Sequence, residues 1–169
     1  MAKDTVSDDD ETRRHLTAEG WAAIEDKGFV QLVGPFFRRG EGAGLRFCFP
    51  TADKHHNLRG VLQGGALMTF ADRTMGTAAR TWAGGNASAT VQLNVQFVRA
   101  VEIGALVETC PVVVSATRNL IFMRADFLVG TSIVATAAGI WKIFGTRGAA
   151  NPSTIQDGPN PDPARTETP

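Results

Sequence analysis

The sequence predicts an α+β domain in which one long helix sits among antiparallel strands. Three observations carry this. Residues from about Gly65 to Trp82 place apolar side chains at helical spacing. Val91, Leu93, Val95 and Phe97 alternate with Gln92, Asn94 and Gln96, the two-residue period of a strand packed on one side. Three further strand-like runs follow, separated only by short turns.

Taken in order, residues 1–15 are acidic and polar and read as a disordered tail. Thr17 suits the cap of a short helix carrying Trp21 and Ile24 inward, with Gly28 at its end. Two strands are expected over roughly 29–37 and 43–50, joined through Arg39-Gly40-Glu41-Gly42; Leu45, Phe47 and Phe49 alternate there with Arg46 and Cys48. In the long helix, Leu67, Ala71, Met75, Ala78 and Trp82 share one face and Thr69, Arg73, Thr77 and Arg80 the opposite one. The later runs, roughly 105–116, 120–129 and 132–144, turn at Arg118-Asn119 and Gly130-Thr131, which predicts an antiparallel meander. Pro111 lacks the N–H a ladder needs and marks an edge or a bulge. Residues 146–169 are rich in Pro and Gly and read as a second disordered tail, leaving one domain over 16–145.

Seventeen basic residues balance seventeen acidic ones, so no overall field draws the protein to nucleic acid or an anionic membrane. Cys48 and Cys110 lie in apolar surroundings and read as small buried hydrophobes. The first residues lack the basic start and apolar stretch of a secretory signal, and no apolar run is long enough to cross a bilayer. A cytoplasmic location is the expectation. His55 and His56 are adjacent in a loop and read as solvated, and no metal or cofactor is called for.

The segment Leu62 to Asp72, LQGGALMTFAD, carries the chemistry. A helix start leaves its first amides without internal partners and holds the positive end of the dipole. Here it has Gln63, Gly64 and Gly65 and no early acid, which leaves those amides open to an anion or a polarised carbonyl oxygen. Asp72 falls at the margin of the apolar stripe beside Met68, Gly76 and Ala79. By helix position alone a solvated Asp is the commoner outcome, and a Gly-Gly pair alone is an ordinary turn. Gly64 and Asp72 are separated by about 12 Å of helix rise, too far for both to act on one carbonyl unless two chains contribute.

Asn57 to Gly65 (NLRGVLQGG), then Phe70-Ala71-Asp72, then Ala89 to Arg99 and Gly104, together resemble the hotdog-fold acyl-CoA thioesterases of the phenylacetate-degradation (PaaI-like) type, over roughly residues 28–145. The resemblance implies a curved antiparallel sheet wrapped around one long central helix, a dimer and often a dimer of dimers, with active sites between subunits. It implies that Asp72 activates water or attacks the thioester, that Gly64 or Gly65 donates to the thioester oxygen, and that Asn57 and Thr90 help hold the water. Where the family usually has His-Gly-Gly this chain has Gln63, whose amide does not titrate near neutrality. For the phosphates of coenzyme A the candidates are Arg59, Arg73, Arg99 and Arg118 with Asn119; Met68, Phe70 and Met75 are candidates for the acyl slot or for core. The expected activity is hydrolysis of a small or medium acyl-CoA. A hotdog module that binds acyl-CoA without turning it over is the alternative, and a hydratase ranks last because only Asp72 is placed for acid–base work.

Overall fold

A computed structural model describes residues 8–145; residues 1–7 and 146–169, which hold the first part of the first predicted tail and all of the second, lie outside the described residues. The elements are α1 (Asp8–Ala18), β1 (Ala22–Ala23), α2 (Gly28–Val33), β2 (Phe37–Arg39), β3 (Arg46–Pro50), α3 (Gly64–Trp82), β4 (Ser88–Phe97), β5 (Leu106–Thr109), β6 (Val112–Ala116), β7 (Leu120–Val129) and β8 (Ser132–Ile143). All strands join one antiparallel sheet in the order β1-β2-β3-β5-β7-β8-β4, with β6 also paired to β7. The α+β class holds, and α3 is the central helix.

The helix lies on one face of the sheet, against β4, β7 and β8. Its buried stripe is Ala66, Leu67, Phe70, Ala71, Thr74, Met75 and Ala79. Phe70 and Met75 are therefore core, not acyl slot: both are fully buried, and the Phe70 ring packs against those of Phe36, Phe49 and Phe127 at 5.1 to 5.8 Å. Full burial of such a side chain contributes roughly 1.5–3 kcal/mol. Thr74 joins the stripe because its hydroxyl donates back to the Phe70 carbonyl at 2.7 Å. Trp82, read as inward, is 38 % exposed where the helix ends.

On β3 the alternation splits two cores. Phe47 and Phe49 face α3, while Cys48 joins Phe37, Leu16 and Trp21 in a separate cluster beneath the N-terminal segment. Burial pushes the Cys48 thiol up to about 12, with Glu108 reinforcing the shift.

Several sequence expectations are corrected. Residues 8–15 of the predicted tail lie in α1. The helix expected to begin at Thr17 ends there, and its stop is Gly20 at φ +85°, not Gly28. Trp21 N–H donates to the Leu16 carbonyl and Gly20 N–H to that of Thr17, closing a Schellman turn whose two apolar ends, Leu16 and Trp21, pack together. The strand expected over 29–37 is the short helix α2 followed by β2. Short apolar runs are ambiguous between the two states, and Phe29 and Leu32 are left exposed. The run over 105–116 divides into β5 and β6 at Cys110-Pro111, as the missing proline donor requires.

His55 is the clearest departure. It is 4 % exposed, its Nδ1 accepts from the Ala52 amide at 2.8 Å, and its Nε2–H donates to the Val33 carbonyl at 2.7 Å. Its carbonyl accepts from the Gln63 amide at 2.8 Å, so this buried ring anchors the entry to α3.

Two expectations follow for stability and reactivity. His55→Ala leaves the Ala52 amide and Val33 carbonyl without a partner and should cost about 2–4 kcal/mol, read from urea unfolding. Cys48 should resist a thiol reagent at pH 8 in the native protein and react at an ordinary rate once the chain is unfolded in urea, as mass spectrometry of the labelled protein will show.

Candidate active site

Asp72 is held by Thr90, whose hydroxyl donates to Asp72 Oδ1 at 2.6 Å. A fault in strand pairing makes this contact possible. Phe97, Val95 and Leu93 pair in turn with Ala135, Ala137 and Gly139, the β8 positions that face α3. Continued regularly, the ladder would set Val91 opposite Trp141. Instead the register shifts, so that Thr90 pairs with Trp141 and Gln92 with Ile140. Val91 is the extra residue of a β-bulge and is 59 % exposed, and Thr90 takes the inward position. The period-two reading of Val91 as buried is corrected by this bulge. Phe97 is also exposed, because it ends a strand at the sheet edge beside Gly64.

Beneath Thr90 lies Trp141, 1 % exposed. Its indole needs two glycines. A Cβ at Gly139 would meet the Trp141 ring at 2.6 Å and the Gln92 carbonyl at 2.7 Å, and a Cβ at Gly76 would lie 3.2 Å from Trp141 Nε1. The Nε1 atom is buried and has no hydrogen-bond partner among the described residues.

Asp72, Thr90 and Trp141 line a groove of about 520 Å³ together with Arg38, Arg73 and Arg80. Arg73 Nε donates to Asp26 Oδ1 at 2.6 Å, and its Nη1 donates to the Thr77 hydroxyl. Arg80 Nε donates to the Gly85 carbonyl at 3.1 Å. Arg38 belongs to the sheet's inward parity, since its cross-strand partner Phe47 packs in the α3 core. Sequence reading passed over Arg38 and set Arg80 on the far helix face. The available signals were the alternation of Arg38 with buried Phe37 and the two-turn spacing from Asp72 to Arg80.

The other end of α3 is built differently from expectation. Gln63 is the N-cap: its Oε1 accepts from the Ala66 amide at 3.1 Å, so that donor is covered. Gly65 makes the cap possible, because a Cβ there would stand 2.7 Å from Oε1. Gly64 lies under the Phe97 ring, 3.1 Å from where its Cβ would be. The amides of Gly64 and Gly65 are left without an acceptor among the described residues. Gly64 lines a second groove of about 270 Å³, with Leu67, Phe97 and Arg99. No residue lines both grooves.

The remaining candidates scatter. Asn57 Oδ1 accepts from the Arg59 amide at 2.8 Å, folding the side chain onto its own turn. Arg99 Nη1 donates to the Ile133 carbonyl at 2.8 Å. Arg59, Arg118 and Asn119 are exposed and line neither groove; nor does Met68, at 41 % exposure.

The thioesterase superfamily profile matches residues 59–135, from the turn before Gly64 into β8. Among curated proteins none matches significantly. Among solved structures, a conserved protein of Pseudomonas aeruginosa is 29 % identical, with a TM-score of 0.65 over 70 % of this chain and 95 % of its own. A variant of the phenylacetic acid degradation protein PaaI from Thermus thermophilus is 22 % identical, with a TM-score of 0.62 over 69 % and 98 %. A Streptococcus mutans protein bound to acetyl CoA is 19 % identical, with a TM-score of 0.64 over 73 % and 96 %. With one long helix laid on an open antiparallel sheet and the segment similar to the thioesterase superfamily running through both, the chain has the hotdog fold.

Proposed function

We propose that this protein hydrolyses the thioester of a small or medium acyl-CoA, with Asp72 as the carboxylate that activates water. The observation that carries the reading is the Thr90 to Asp72 hydrogen bond, which fixes one carboxylate oxygen and leaves the other to take a proton. The water oxygen adds to the carbonyl carbon, the carbon–sulfur bond breaks, and the thiolate recovers the proton to give free acid and coenzyme A. Charge that grows on the carbonyl oxygen needs donors. The free amides of Gly64 and Gly65 suit that role, and so does the Gln63 amide nitrogen, since only the oxygen of that side chain is spent on the cap.

Asp72 and Gly64 lie in separate grooves of one chain, in keeping with about 12 Å of helix rise between them. The site is therefore completed by a second copy. The outer edge of β4 is unpaired over ten residues and offers the place for a partner β4 to continue the sheet. A pair of such dimers gives the expected tetramer. Among the described residues no helix is long and apolar enough to cross a membrane.

A second reading has one observation in its favour: Gln63 supplies a cap and no titratable group where a histidine is usual in the resembling family. On that reading the protein binds acyl-CoA without turnover.

An acyl-CoA panel followed by thiol release separates the two. Turnover by the wild type, reduced about 10²–10⁴-fold in kcat by Asp72→Asn and about 10–100-fold by Thr90→Val, supports hydrolysis. Tight binding with no turnover supports the second reading. In sedimentation the active species should be a dimer or larger, and an active monomer would overturn the shared site.

A further inference from the structure

We propose that the groove beside Asp72 is the acyl pocket and that it selects acyl groups ending in a carboxylate, an inference that rests on the thioesterase reading above. Its polar lining is almost entirely donors. Arg38, Arg73 and Arg80 bring three guanidinium groups, and the sole acid is Asp72 itself. Asp26 balances Arg73, so the positive excess lies on Arg38 and Arg80. The Arg38 side chain makes no hydrogen bond or ion pair among the described residues, and the Arg80 side chain commits only its Nε. Two cations left without carboxylate partners in the lining of one groove fit an anionic ligand better than an aliphatic chain.

Trp141 adds an independent observation. Its indole N–H is buried without an acceptor and lies against Gly76, which lines the same groove. Orphaned buried donors are uncommon, and this one makes the groove wall at Gly76 polar where an aliphatic slot would be apolar.

Length narrows the ligand. Along α3, Gly76 is about 6 Å from Asp72 and Arg80 about 12 Å. A six-carbon dicarboxyl chain spans about 6 Å between its terminal carbons, so a thioester carbonyl at Asp72 sets the free carboxylate beyond Gly76, within the length of an arginine side chain. The phosphates of coenzyme A are a competing source of negative charge. The extended pantetheine arm carries the first of them about 15 Å from the sulfur, also within reach of the Arg80 side chain, so the substrate comparison has to separate the two sources.

The test compares kcat/KM for adipyl-CoA and hexanoyl-CoA, equal in length and differing in the terminal carboxylate, using the full chain. Adipyl-CoA should be preferred about tenfold or more, and the double variant Arg38→Gln, Arg80→Gln should bring the ratio close to one. The ratio is internal to each protein, so partial unfolding does not alter it. A preference for hexanoyl-CoA, equal use of both, or a ratio unchanged in the double variant overturns the proposal. Equal losses on both substrates would assign these arginines to the phosphates instead. If the wild type hydrolyses other acyl-CoAs but not adipyl-CoA, this inference alone falls. Failure of every acyl-CoA defeats the hydrolase reading on which it stands.

Discussion

The wedge formed by Trp141 between Gly76 of α3 and Gly139 of β8 is the contact on which the rest of this structure depends. An indole is too large to lie between helix and sheet unless both neighbours give up their side chains, and both do. Once seated, the ring sets how closely the middle of α3 approaches the edge of the sheet. Its cross-strand partner is Thr90, which the bulge at Val91 turns inward to reach Asp72. Helix position, strand register and carboxylate orientation are thus settled by one packing event. Close-packed interiors transmit such constraints because they have no free volume in which to relax.

The two ends of the proposed site are built by different physics. At the helix start the groups are backbone amides, held by the path of the chain from His55 through Gln63. At the carboxylate the groups are side chains, held by a sheet edge far away in sequence. The helix is rigid and keeps them apart, which is why Asp72 and Gly64 of a single copy line separate grooves. An assembly that brings two helices together antiparallel joins unlike halves twice over.

Electrostatics sharpens the distinction between the grooves. Net charge is zero over the whole chain, yet the Asp72 groove gathers three arginines and one acid. Charges scattered along a sequence acquire meaning only when folding concentrates them, since the interaction falls with distance and solvent screening. A neutral protein can in this way carry a locally cationic pocket.

The pattern of residues determined much of this protein by itself. Helical spacing located α3 to within one residue of its start, alternation and short turns located β4, β7 and β8 closely, and Pro111 marked an irregularity in the run over 105–116, though not its division into β5 and β6. Those properties are local, so a single strand of letters carries them. Asp72 and Thr90 could be named only through resemblance to a family, and their contact could not be read from periodicity, because a bulge at Val91 reverses the parity of the strand at that very point. His55 looked like a solvated loop residue until the fold placed backbone partners on both ring nitrogens, and the helix start looked wholly uncapped until Gln63 folded back onto the Ala66 amide. Arg38 and Arg80 share a groove only because a sheet edge and a helix meet there. Each of these was decided by neighbours distant in the chain, and long-range packing is what local propensity does not encode.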